Sequence, residues 1–449
     1  MAEIQWFGAA DDSARPRTGL EKWAMIAGGA LAILLSLAII YVIAIALLDE
    51  GTMRLGAITF GVVITLLTSP LVSIRKDASP TARKLFWLID IALLIGFAVS
   101  CYWFYVTRER LWEGVFEGTP MDLATAGIGL LVILELTRRA WGLPLVIIAL
   151  VGIVYGLFGN HAPSFIQHGG IDIDEFTRTI WFSFDGVFGR ATGIVASVVL
   201  VFLIFGAMLE STGAGESLIR LSTAITARIR GGAAHAAIVA SAVFGTMSGS
   251  VAANIAGTGV FTIPMIKRQG FSASFAGAVE AAASSGGQLT PPVMAAAAFV
   301  MADMVGKPYL LIIAAAALPA LFKYLSLFAQ VYTEAVRVGI KPLPPEERPK
   351  LNRGDIRNAL LIFLPIACLM GTFFFGRSAA FAGLVGLLSA LVVGLLLNPE
   401  FRRKPSKILD ALRIGGINSG RIMVAVAVIG IIMGVLNETG IAIKFATEI

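Results

Sequence analysis

Two short polar stretches carry the residue types that could bind or move an ion. The first runs Gly245-Thr246-Met247-Ser248-Gly249-Ser250-Val251-Ala252-Ala253-Asn254. The second runs Ser284-Ser285-Gly286-Gly287-Gln288-Leu289-Thr290-Pro291-Pro292. Each interrupts a segment otherwise apolar enough for a bilayer. Glycine, proline, hydroxyls and amides are costly there unless the backbone breaks and its oxygens bind something. Ser248, Ser250 and Asn254 offer side-chain oxygens. The proline pair disfavours helix just before it, which frees carbonyls at Gly286, Leu289 and Thr290. Neutral oxygens of this kind suit sodium without burying a carboxylate. A half-helix starting near Asn254 would aim its positive end into the same region, which favours an anionic substrate. Gln288, Thr290 and Gly249 are the candidates for touching it. Glu280, one turn before the second stretch, is a candidate for tuning the ion site, for proton coupling, or for a buried pair.

The elements that must hold these stretches are membrane helices. Hydrophobic residues make up 57% of the chain and charged residues 14%, far from a soluble average. The expected fold is an all-α polytopic membrane protein with about eleven transmembrane helices plus a re-entrant helical hairpin. The spans read as 23–48, 55–74, 84–106, 121–137, 143–159, 192–210, a long interrupted 272–304, 308–333, 356–375, 379–397 and 419–438. The hairpin falls at 233–266, and 341–349 and 398–407 read as polar connectors. Segment 160–190, with Phe165, Phe176, Trp181, Phe182 and Phe184, reads as a surface-lying or partly inserted stretch that either anchors at the interface or receives a partner protein.

Charge placement argues for the hairpin. With a cytoplasmic amino terminus and a hairpin at 233–266, 24 Lys and Arg residues fall on the inner face and seven on the outer. A single crossing there would move twelve of the inner ones outside, against the positive-inside tendency. The net charge of +6 therefore belongs to loops facing a membrane and not to a nucleic-acid surface. Gly206-Ala207-Met208-Leu209-Glu210-Ser211-Thr212-Gly213 recurs, one residue shorter, as Gly434-Val435-Leu436-Asn437-Glu438-Thr439-Gly440. On this threading the two copies run in opposite directions, as in an inverted repeat. The second copy is not followed by a second hairpin and broken helix, so the sequence is expected to be a fragment holding the first half of such a repeat.

The run GTMSGSVAANIAGTGVFTIPMIKRQGF, followed by GGQLTPPVMAAAAFVMADMVGKPY, resembles the large membrane subunit of tripartite ATP-independent periplasmic (TRAP) transporters. It looks most like the fused type that works with TAXI solute-binding proteins. The resemblance is specific over about 245–310; that helices before about 160 match the small four-helix subunit rests on position and span count. It implies an elevator mechanism in the bacterial inner membrane, with sodium ions coupled to uptake of a small organic anion delivered by a periplasmic binding protein. It also implies a sodium site at Ser248, Ser250, Asn254, Gly286, Leu289 and Pro291. The corresponding division is a cytoplasmic tail at 1–22, a scaffold at 23–160, a periplasmic or interfacial segment at 161–190, a first transport repeat at 191–335, a connector with further scaffold helices at 336–407, and an incomplete second repeat at 408–449.

Other charged and reactive residues read as structural. Asp90 reads as a polar contact between helices, and Glu135 with Arg139 as an i,i+4 pair. Lys323 is either a substrate-charge partner or a snorkelling lysine. Tyr102, Trp103, Tyr105 and Trp112 read as interface belt, and Cys101 and Cys368 as small hydrophobes. Nothing in the sequence has the spacing of a catalytic triad, a transition-metal cluster or a phosphate loop, so no cofactor beyond a coupling sodium ion is expected. The alternatives to a transporter are an ion channel and a transport-incompetent membrane scaffold.

Overall fold

The computed structural model describes residues 19–46, 48–74, 79–112, 118–213, 215–249, 251–441 and 444. Its helices run α1 (Gly19–Ala44), α2 (Glu50–Thr68), α3 (Leu71–Ile74), α4 (Pro80–Trp112), α5 (Pro120–Trp141), α6 (Leu143–Phe158), α7 (Ile173–Ile180) and α8 (Arg190–Ile194). A π-turn then leads into α9 (Leu200–Ser211). The chain continues through α10 (Gly215–Thr226), α11 (Gly232–Ser248), α12 (Val251–Arg268), α13 (Ala273–Gly286), α14 (Ala296–Val305) and α15 (Tyr309–Val338). It ends with α16 (Arg353–Phe374), α17 (Ala379–Leu397), α18 (Pro399–Arg403) and α19 (Ser406–Thr439). No strand occurs among the described residues, and ten helical stretches there are long and apolar enough to cross a membrane. The eleventh expected span, 272–304, is the broken one and divides into α13 and α14. The last span begins at Ser406 instead of 419, so the expected connector at 398–407 is largely helical.

The chain forms two compact units. One is residues 201–415; the other comprises the described parts of 15–200 and 416–449. In the second unit a buried ion network ties α3, α4 and α5 together. Asp90 accepts from Arg139 at 2.5 Å and from the Leu71 amide at 2.9 Å. Arg139 also donates to Glu135, which takes Arg138 as well. The expected helix contact of Asp90 and the Glu135–Arg139 pair are thus one network.

Of the two alternatives for 160–190, surface-lying or partly inserted, the first does not describe three of the five named aromatics. Phe176, Trp181 and Phe182 are buried, and of the five named aromatics only Phe165 and Phe184 are exposed. Trp181 sits edge-on to Phe97 and Phe188. It fills a space that exists because residue 129 is glycine: a Cβ there would meet the indole at 2.2 Å. Trp103 likewise leaves the expected belt to donate to Asp122 at 2.6 Å, where Asp122 and Thr119 cap α5, whereas Tyr102 and Tyr105 stay exposed. The side chain of Trp112 lies outside the described residues.

In the 201–415 unit, α11 and α12 run antiparallel and pack on α13 and α15. Their shared core includes Ile238, Ile266, Val279 and Val331. Small residues set the spacing: a Cβ on Gly257 would meet the Phe244 ring at 2.7 Å. Close approach of this kind is what small residues allow between membrane helices.

Candidate functional site

The site begins where α11 turns into α12. α11 ends at Ser248, and Gly249 follows with φ +57°, a left-handed conformation that glycine adopts without Cβ strain. Space demands glycine as well, because a Cβ there would lie 2.2 Å from the Met294 carbonyl oxygen. The arms hold 17 and 18 residues, at the lower end of the roughly 17–25 that a crossing takes. This matches the expected hairpin in its two arms and its tip at 245–254. Ser250 and the side chain of Ser248 lie outside the described residues.

The second stretch breaks as its prolines require. α13 stops at Gly286 and helix resumes at Ala296, with a cis peptide between Pro291 and Pro292. Thr290 Oγ1 donates to the Gly286 carbonyl at 2.7 Å and lies 2.9 Å from the Tyr324 hydroxyl. The Tyr309 hydroxyl lies within 2.9 Å of the Pro292 carbonyl and 2.8 Å of the Val293 carbonyl. Lys323 donates to Ser285 at 2.9 Å, turned toward the break and not snorkelling away from it. Gln288 and Leu289 are exposed, and Thr290 and Pro291 half-buried.

Hairpin and break meet through Gly245 and Gly287. A Cβ on Gly245 would lie 2.4 Å from the Gly287 Cα, so backbone touches backbone. Asn254 is fully buried beside this contact and donates from Nδ2 to the Ser241 carbonyl at 2.7 Å. The structure therefore brings Gly249, Asn254, Gly286 and the Pro291 segment into one region. Gly286, however, already accepts bonds from the Leu289 amide and from Thr290.

One turn deeper lies a cluster the sequence reading missed. Glu280 has no exposed surface, and four hydroxyls surround its carboxylate. Oε1 accepts from Ser241 at 3.0 Å, Thr258 at 2.5 Å and Ser284 at 3.1 Å, and Oε2 from Thr262 at 2.5 Å. Of the three alternatives for Glu280, a buried pair with a neighbouring helix is met by hydroxyls of α12 and not by a basic group: no ion pair among the described residues includes Glu280. A signal for the cluster was present in the i,i+4 spacings of Thr258 with Thr262 and of Glu280 with Ser284, each of which puts two polar groups on one helix face.

Fold and site together define a polytopic membrane protein built around discontinuous helices, an arrangement typical of solute permeases. Residues 128–449 match the family described as "Tripartite ATP-independent periplasmic transporter, DctM component", and the chain belongs to that family. It is similar to the C4-dicarboxylate TRAP transporter large permease protein DctM of Pseudomonas aeruginosa, 31% identical over 43% of this chain and 45% of that protein. It is also similar to the sialic acid TRAP transporter large permease protein SiaM of Vibrio cholerae, 26% identical over 47% of this chain and 49% of the relative. A third relative, the sialic acid TRAP transporter permease protein SiaT of Haemophilus influenzae, is 24% identical over 49% of this chain and 36% of its own length. The chain spans about half the length of the curated relatives it matches.

Proposed function

We propose that this chain is a permease part of a binding-protein-dependent secondary transporter that couples sodium entry to uptake of a small organic anion by an elevator motion. The observation that carries this reading is the contact of hairpin tip and helix break. Gly249 lies on Met294 and Gly245 on Gly287, within a family of periplasmic-binding-protein transporters. Two interrupted elements meeting at membrane depth supply oxygens for a cation and a helix N-terminus for an anion without burying fixed charge. The sodium ligands we assign are Ser248, Ser250 and Asn254 with the Gly286, Leu289 and Pro291 segment; Gln288, Thr290 and Gly249 face the substrate. A carboxylate substrate is supported by the relatives, whose names specify C4-dicarboxylates and sialic acid.

The partner we assign is a periplasmic binding protein of the TAXI type. Helices α1, α2 and α4 precede the family match, which supports a fused accessory part. The balance of Lys and Arg supports an inner-membrane protein with a cytoplasmic amino terminus. Reconstitution of the complete transporter with its binding protein tests the reading: an inward sodium gradient should drive accumulation of a labelled carboxylate. Uptake indifferent to sodium, or to the binding protein, would defeat it.

A further inference from the structure

We infer that Glu280 is the charged ligand of a second monovalent-cation site, separate from the tip-and-break site and enclosed by α11, α12 and α13. The inference rests on the transporter reading above for its purpose and on the Glu280 cluster for its chemistry. A carboxylate with no exposed surface and no basic partner among the described residues is expensive to hold in a low-dielectric interior. Intramembrane carboxylates in that position mark ion pathways more often than fixed structure.

The groups around Glu280 are the oxygens a sodium ion takes. Ser241 comes from α11, Thr258 and Thr262 from α12, and Ser284 from α13. Asn254, a ligand of the tip-and-break site, borders this set with its amide oxygen 3.4 Å from Thr258 Oγ1. Two of the hydroxyls have a second acceptor ready. Thr258 Oγ1 lies 2.8 Å from the Asn254 carbonyl, and Thr262 Oγ1 lies 3.0 Å from the Thr258 carbonyl. When their hydrogens turn to those carbonyls, the hydroxyl lone pairs face Glu280 and can coordinate a cation beside it. No ligand has to be imported, and the charges of carboxylate and cation cancel.

The placement also gives the site a task. Its ligands come from both hairpin arms and from the helix that leads into the break, so an occupied site clamps the three together. Asn254, packed by Gly245 and Gly287, links the clamp to the tip. Cation binding at Glu280 thereby favours the closed contact between tip and break.

Equilibrium binding of radioactive sodium to the purified complete transporter tests this. Wild type should bind more than one equivalent. Glu280→Gln should lose at least one, Ser250→Ala should remove the equivalent assigned to the tip, and Thr258→Val should keep the stoichiometry with affinity lowered about tenfold. Glu280→Gln that elutes as a monodisperse helical protein yet binds as many sodium ions as wild type overturns the inference, including the case in which it alters proton uptake alone. If Glu280→Gln does not fold, Thr258→Val and Thr262→Val decide, and unchanged sodium affinity in both overturns it. Loss of sodium in Glu280→Gln with none in Ser250→Ala supports this site and defeats the tip assignment under the proposed function.

Discussion

Replacing Gly245 with alanine tests whether the backbone contact of hairpin and break is a fixed part of the site. The new Cβ would stand 2.4 Å from the Gly287 Cα and 3.2 Å from Asn254 Nδ2. Carbon atoms in contact prefer about 3.5–4.0 Å, so α11 and α13 must separate by about 1 Å. Backbone occupies the far side, and no rotamer change can relieve it. Overpacking of this kind costs about 1–3 kcal/mol, offset by about 0.5–1 kcal/mol because alanine favours helix over glycine. The expected net loss lies within about 0–2.5 kcal/mol, centred near about 1 kcal/mol. Gly277, on α13, supplies the control, because a Cβ there meets nothing within 4 Å. Gly277→Ala should be neutral or stabilise by up to about 1 kcal/mol. Thermal unfolding in one detergent, followed by helical circular dichroism, should place Gly245→Ala below wild type and Gly277→Ala at or above it. In the complete transporter, Gly245→Ala should also raise the sodium concentration needed for half-maximal uptake. Equal melting of the two variants and an unchanged sodium requirement would refute the reasoning.

Asp90→Ala should cost about 3 kcal/mol, since it leaves the fully buried Arg139 with Glu135 alone. Thermal unfolding of Asp90→Ala combined with Arg139→Met should recover part of that loss. Trp181→Ala removes a fully buried side chain and should cost about 3–5 kcal/mol; limited proteolysis should then cut within 160–190 well below the wild-type melting temperature. Tyr309→Phe removes the hydroxyl at the Pro292 and Val293 carbonyls and should cost about 1 kcal/mol, read by the same melting experiment, with sodium affinity lowered.

The hairpin and the break were legible because polar and conformation-breaking residues stand out in apolar segments. Gly249 and the proline pair declare themselves by type alone. The repeated Gly206–Gly213 and Gly434–Gly440 motif was also legible as local structure: both copies close a helix and end on a glycine with positive φ, +79° at Gly213 and +63° at Gly440. The placement of 160–190 was not legible. Aromatic content reads the same at a membrane surface as in a core, and the decisive feature is a hole at Gly129, distant in sequence from Trp181. The Glu280 cluster was half legible. Glu280 stood out as an isolated charge, but Ser241, Thr258 and Thr262 are ordinary helix residues until α11 and α12 fold against α13 and turn their hydroxyls to one carboxylate.

If tip and break together hold the coupling ion, the sodium dependence of uptake by the complete transporter must change with Ser250→Ala or Asn254→Ala. Both variants should reach the membrane, bind the solute-loaded binding protein as wild type does, and need at least about tenfold more sodium for half-maximal uptake. Wild-type sodium dependence in both variants would contradict it.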